Sequence, residues 1–430
     1  MIVLWGPPIM SKYIDKNTFK QIFYDHWDSF KQSHPRFDSP DTNETIGKML
    51  NCGDPDKMGY AQYRCCHCGE TRRITFTCKS CFCLSCATVY TDRWADFIGR
   101  RLLPGITYRH VVLTMPEYLR VWFYRNPALL SPLMRTGDAC LKDILETYSR
   151  KKLDIGTVIV LQTAGRSGHY NPHLHILMTA GGIDPLEHWE NVSYIPYDMM
   201  HKKWQYHLLN MLRKEIPDPA IEPEIDRAWK KYPNGFVAYL QPGDVPPGGE
   251  GLAKYLAKYV VSPPISLKRI EEYDGESVSY WYHDHKTEQI EHETLPVLKF
   301  IGRMVQHILP KGFHRIRYYG LHCNVRYQKT RERLEKIIPA ETPLDPRGYR
   351  VLPNRPFEQR FFASFGKDPL LCPKCNNKMS LELIYHPEYG IIKEFLLFEE
   401  LPDEPETIGT TTGRTLHRAE RLVQLPLPFL

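Results

Sequence analysis

No apolar run in this 430-residue chain approaches the roughly 18 residues that a membrane-spanning helix needs, so no transmembrane segment is expected. The opening MIVLWGPPIM has no basic stretch ahead of its apolar residues and is broken by Pro7 and Pro8, unlike a secretory signal. It reads as an extension upstream of Met10, and the chain is expected in the cytoplasm. Internal repeats and low-complexity tracts are missing, which excludes solenoids and disordered tails as the main architecture. Charge of one sign is scarce too: 56 Lys+Arg face 50 Asp+Glu, and the net +6 says little by itself. What is present is globular in composition, with 42% hydrophobic, 12% aromatic and 25% charged residues. Thirty-five prolines against 27 glycines point to many turns rather than a helical bundle, and the length suggests two to three domains.

Charge and cysteine are unevenly spread. From Lys299 to Lys336 there are ten Lys/Arg and two Asp/Glu, an excess larger than that of the whole chain. Tyr318, Tyr319 and Tyr327 lie among these cations. Basic residues mixed with aromatics suit a nucleic-acid backbone and unstacked bases, and a solvated basic face is the plainer reading. Eight of the twelve cysteines fall between Cys52 and Cys86, and two more form Cys372-Pro-Lys-Cys375. Such clusters, without a secretion signal, point to metal rather than disulfides.

Periodicity predicts a helical lead-in over 11–50 and a helix over 91–104. Strands are expected at 108–116, 156–163 and 173–180, the last two as an antiparallel hairpin around the polar turn AGRSGHYNP. Helices are expected through much of 117–153, near 198–214, at 251–261 after the breaker-rich loop 241–250, and at 301–308 and 328–338. Residues 278–300 read as short strands and turns, and 340–370 as irregular.

Cys65-x2-Cys68, fourteen residues, then Cys83-x2-Cys86 is close to the spacing of a four-thiolate structural zinc site. Cys52, Cys66, Cys78 and Cys81 are then surplus, available for a second site (with His67) or as free thiols. Cys372 and Cys375 make half a site, with His386 as a possible contributor. His173 and His175, two apart on a strand, share one face while Leu174 points into a core, a natural half-site for a divalent ion. Gln162, across the hairpin, is a candidate third ligand, with His169 in the turn as its rival. An amide oxygen suits Mg2+ or Mn2+. The pair His283 and His285, separated by Asp284, reads as a surface turn. Tyr255 and Tyr259 share a helix face, with Lys254 and Lys258 as a neighbouring stripe. Packed core aromatics are the plain reading of that pair; a tyrosine hydroxyl attacking a phosphodiester is the other.

In this order, the cysteine cluster, "NPHLHILMTAGG" and "AKYLAKYV" resemble the two-tyrosine HUH transposases of the insertion sequence ninety-one family. "CGDPDKMGYAQYRCCHCGETRRITFTCKSCFCLSC" resembles the amino-terminal zinc-binding domain of that family, "FIGRMVQHILPKGFHRIRYYG" its downstream block and "CPKCNNKM" its carboxy-terminal knuckle, together spanning most of 45–380. The resemblance implies an α+β fold: an HUH core, an RRM-like antiparallel sheet with packed helices, preceded by a cysteine-rich zinc-binding domain. It implies His173, His175 and Gln162 at an Mg2+ or Mn2+ site, where Gln162 stands in place of the family's usual histidine. Tyr255 and Tyr259 become nucleophiles, and zinc is held by Cys65, Cys68, Cys83 and Cys86, with Cys52 and Cys78. Lys254, Lys258, Arg303, Lys311, Arg315 and Arg317 become DNA contacts. The implied activity is rolling-circle transposition through 5′-phosphotyrosine intermediates, on single- and double-stranded DNA at element ends and target, alongside host replication and helicase machinery. The domains are then 1–50 (lead-in), 51–98 (zinc-binding), 99–338 (nuclease, including the basic block 299–336) and 339–430 (irregular, with the knuckle). A replication initiator or relaxase with the same chemistry, and a non-catalytic zinc-dependent DNA-binding protein, are the competing readings.

Overall fold

At 111–113, 159–161 and 174–178 every second side chain is a fully buried apolar residue, and this alternation decides which sheet face takes the helices. A computed structural model describes residues 14–15, 17–87, 98–99, 101–103, 105–240, 263–284, 287–338, 359 and 368–395. Its strands are β1 (Tyr60–Arg64), β2 (Thr71–Thr75), β3 (Tyr108–Leu113), β4 (Gly156–Ala164), β5 (Tyr170–Thr179), β6 (Gly181–Ile183), β7 (Trp189–Asn191), β8 (Ala238–Leu240), β9 (Ile270–Tyr273), β10 (Ser277–His283), β11 (Ile290–Pro296), β12 (Ile316–Gly320), β13 (Ser380–His386) and β14 (Gly390–Glu394).

The central sheet runs β12-β4-β5-β3-β8, antiparallel throughout. On one face Val111, Leu113, Ile159, Leu161, Leu174, Ile176 and Met178 pack under the helices Leu130–Ser149 and Tyr197–Glu215 in a single core. Full burial of each aliphatic side chain there contributes about 1.5–3 kcal/mol. Gly137 lets the first of these helices settle onto β5: a Cβ there would meet Leu174 Cδ1 at 2.6 Å. On the other face Tyr108, Val158, Val160, Leu177 and Ile316 form a second core with Leu102, Leu103 and Leu334. The fold is thus mixed α+β with antiparallel sheets, as expected, and the β4–β5 hairpin is present. The helix expected at 251–261 lies outside the described residues.

A third, aromatic core joins the helices Thr18–Ser33 and Val297–Val305 to the sheet β11-β10-β9 and to Phe82. Phe82 sits 5.6 and 5.5 Å from Phe19 and Phe23, ring centre to ring centre. The remaining larger sheet, β14-β13-β1-β2, is built from both ends of the chain, with Ala61 opposite Ile384. The segments 51–98 and 339–430, separate in the sequence reading, therefore share one sheet. Among the described residues no helix is long and apolar enough to cross a membrane.

Candidate active site and thiolate centres

β5 presents His173 and His175 on the face opposite Leu174, with ring centroids 5.0 Å apart. His175 is 6% exposed. Burial lowers the pKa of His173, to which the charge of Arg120 adds, and burial with the neighbouring His173 and His110 takes His175 well below the ordinary imidazole value. Both rings are therefore neutral, the form a metal ligand requires. The Nδ1 of His173 is 2.7 Å from the Asn171 carbonyl oxygen, which can only accept, so Nδ1 carries the proton and Nε2 the lone pair.

Sequence reasoning missed His110. This residue of β3 lies parallel to His175, ring planes 3° apart, with its Nε2 3.0 Å from His175 Nδ1. Either ring can donate in that contact, and His110 holds the orientation of the His175 imidazole. The signal for His110 was the two-residue period of β3, which puts it on the same face as Val112, opposite His175. Gln162 stands directly across from His173 in the β4–β5 register. Two neutral imidazoles and an amide oxygen are a donor set that fits a divalent cation. His169, the rival considered for that place, lies in the exposed part of the hairpin turn with its Nδ1 2.8 Å from Ser167 Oγ. Tyr255, Tyr259, Lys254 and Lys258 lie outside the described residues.

The hairpin turn that follows Gln162 is gripped from the aromatic core. Tyr280 Oη donates to the Ser167 carbonyl at 3.1 Å, and Gln306 Nε2 donates to that of Gly168 at 3.2 Å. His307 bridges the Gly168 carbonyl and Thr163 Oγ1 at 2.8 and 3.1 Å. Arg303 belongs to this grip: it is 8% exposed and paired with Glu293 and the Tyr280 hydroxyl. That corrects its expected role as a DNA contact, since a buried, paired guanidinium has no access to a phosphate. Lys311 is exposed on an ion pair with Glu44 at 3.0 Å. Arg317 donates to Ser131 Oγ at 2.6 Å, and Arg315 is half-buried beside it.

The thiolates gather into two groups of four, each with its sulfurs within 4.8 Å of one another: Cys52, Cys78, Cys83 and Cys86, and Cys65, Cys68, Cys372 and Cys375. Sulfur pairs at 3.5 and 3.6 Å in the first group approach the edge of a zinc tetrahedron, roughly 3.8 Å for a Zn–S bond near 2.3 Å. Cys52 is held towards the thiolate by donation from Cys78, Cys83 and Cys86. The expected single site pairing Cys65 and Cys68 with Cys83 and Cys86 is corrected: spacing identifies a two-cysteine knuckle but not its partner, which the fold supplies. Cys66 is exposed, Cys81 packs under the central sheet, and His386 stacks on Tyr389.

Residues 22–115 match a family model described as a transposase zinc-binding domain, and residues 156–330 match one described as a putative transposase. Over both segments the chain is similar to the insertion sequence ninety-one family of transposases. This transposase is similar to the transposase for insertion sequence element IS801 of Pseudomonas savastanoi pv. phaseolicola, with 28% identity over 357 residues, 78% of this chain and 82% of that one. It is also 28% identical to putative transposase y4qJ of Sinorhizobium fredii over 334 residues, 73% of this chain and 81% of that one. No solved structure matches it. As a transposase it acts on DNA, and its first thiolate group falls wholly inside the zinc-binding match, supporting Zn2+ there.

Proposed function

We propose that this transposase nicks one DNA strand at the end of its element and transfers it through 5′-phosphotyrosine intermediates. The supporting observation is the pair His173 and His175, side by side on one sheet face, with His173 Nδ1 at the Asn171 carbonyl and His175 Nδ1 at His110 Nε2. In the first step the hydroxyl oxygen of Tyr255 or Tyr259 bonds to phosphorus and the bond from phosphorus to the 3′ oxygen breaks. The tyrosine proton balances the one taken up by the leaving 3′-hydroxyl. In strand transfer a 3′-hydroxyl attacks the phosphotyrosine, the tyrosine–phosphorus bond breaks, and the tyrosine regains its proton. Mg2+ or Mn2+ held by His173, His175 and Gln162 would polarise the scissile phosphate and offset its charge. Two tyrosines let one hold an attached strand while the other nicks. Lys254, Lys258, Lys311, Arg315 and Arg317 neutralise backbone phosphates of single- and double-stranded DNA. Host helicase and replication machinery would unwind and refill the donor.

The test is incubation of the protein with labelled single-stranded DNA from both flanks of its gene and Mg2+ or Mn2+. An adduct that survives SDS, and that the double variant Tyr255→Phe/Tyr259→Phe does not form, is expected. Binding without any adduct, across both flanks and both metals, sinks the proposal in favour of a non-catalytic DNA-binding protein. His110→Phe keeps a flat ring but removes the nitrogen that meets His175 Nδ1, and Mn2+ affinity by titration should fall about 10–100-fold.

A further inference from the structure

We infer that Cys65, Cys68, Cys372 and Cys375 hold a second zinc ion that clasps the two ends of the chain together. The zinc-binding family match ends at residue 115, so half of this ligand set lies far outside it. Yet Cys65 and Cys375 sulfurs are 3.4 Å apart, and those of Cys68 and Cys372 3.5 Å. Each knuckle contributes two thiolates, and neither alone completes a tetrahedron.

The two knuckles are the same turn made twice. In the first, the Cys65 N–H donates to the Glu70 carbonyl at 2.8 Å and the Gly69 N–H to the Cys65 carbonyl at 2.9 Å. In the second, the Cys372 N–H donates to the Asn377 carbonyl at 2.8 Å and the Asn376 N–H to the Cys372 carbonyl at 2.9 Å. The residue after each second cysteine is left-handed, Gly69 at φ 74° and Asn376 at φ 60°. Glycine and asparagine are the residues that tolerate this conformation best, so both sequences are suited to the same turn. In the second knuckle the sulfurs also accept from nitrogen: the Lys374 N–H points at Cys372 Sγ, 3.4 Å, and Asn377 Nδ2 at Cys375 Sγ, 3.6 Å. Such donors suit a sulfur carrying negative charge.

What else holds the carboxy-terminal hairpin in place is slight. The apolar cluster at the clasp has three buried members, Cys65, Cys372 and Met379, and two of these are ligands. Strand pairing of β13 on β1, the two inner strands of the sheet, and the bonds that Gln62 and Arg64 donate to Glu382 add largely polar contacts between half-buried strands. A core this small adds little to the pairing that joins β13–β14 to β1–β2, and a metal is the usual reinforcement.

The test uses the full-length chain purified under reducing conditions. Elemental analysis should find two zinc ions per chain, and Co2+ substitution should give thiolate-to-metal absorption from both groups of four sulfurs. The double variant Cys372→Ser/Cys375→Ser should keep one zinc and about half of that absorption. Limited proteolysis should then release 368–395 as early fragments. A wild-type chain that takes up one equivalent of metal after reconstitution, or a double variant that keeps two, overturns the clasp. So does finding Cys65 disulfide-linked to Cys375 in protein recovered under native reducing conditions. If the double variant fails to fold, the cobalt spectrum of the wild-type chain still decides between one thiolate site and two. None of these readouts involves nicking.

Discussion

Cys52, Cys78, Cys83 and Cys86 lie against Phe19, Phe23 and Phe82 in the aromatic core, whereas Cys65, Cys68, Cys372 and Cys375 meet little more than Tyr63 and Met379. The first group closes over 34 residues of chain; the second joins sulfurs 304 and 310 residues apart. Packing and metal reinforce one another in the first, while in the second the ligand set stands nearly alone. The first is also wired to the His173 face, because its core continues into Arg303, and through Gln306 and His307 into the hairpin turn. The second has no such path among the contacts described above. Two metal sites of like chemistry therefore divide into one that builds the body and one that fastens an edge.

The largest effect should come from Cys83→Ser. It removes a buried ligand and leaves three thiols in an apolar core, so loss of that zinc and of near-ultraviolet aromatic dichroism is expected; structural zinc in small domains is worth about 10–16 kcal/mol in apparent binding. A folded Cys83→Ser protein would erase the contrast between the two groups. Phe82→Ala should follow, at about 3–5 kcal/mol lost in chemical denaturation, from the cavity between Phe19 and Phe23. It should loosen the first zinc and leave the second in place, which metal competition with a chelator would resolve.

Acid sharpens the comparison at the hairpin turn. Burial holds the His307 imidazole down to about 4, below its ordinary 6.5. Because the folded value is depressed, its contribution is complete above pH 6.5 and is lost as pH falls from there towards 4. The shift bounds that contribution at about 3 kcal/mol. An NMR titration of His307 with a midpoint near 6.5 would contradict the grip described for it. The smallest effect is expected at Lys311→Ala: its exposed partner Glu44 is held down to about 2 by Lys48 and Lys311, yet solvent screening should leave the melting temperature almost unchanged.

Much of the active face was legible from local pattern. Alternation around Leu174 placed His173 and His175 together, and the short polar turn set Gln162 opposite them. The period of β3 gave His110 its face but not its partner, because the pairing of β3 with β5 is a long-range choice. Arg303 was misread for a related reason: a basic run reports composition, and its burial depends on Glu293 and Tyr280 arriving from another sheet.

Residue chemistry alone determined the parts: two-cysteine knuckles with a glycine or asparagine after them, a histidine pair on one strand face, and alternating aliphatics that need helices above them. Those follow from short-range geometry, which any local stretch of chain carries with it. Which knuckle meets which was decided only when β13 paired with β1 and the aromatic core enclosed Cys83 and Cys86. A thiolate pair accepts any second pair that completes its tetrahedron, so its partner is chosen by the topology that brings the two within reach.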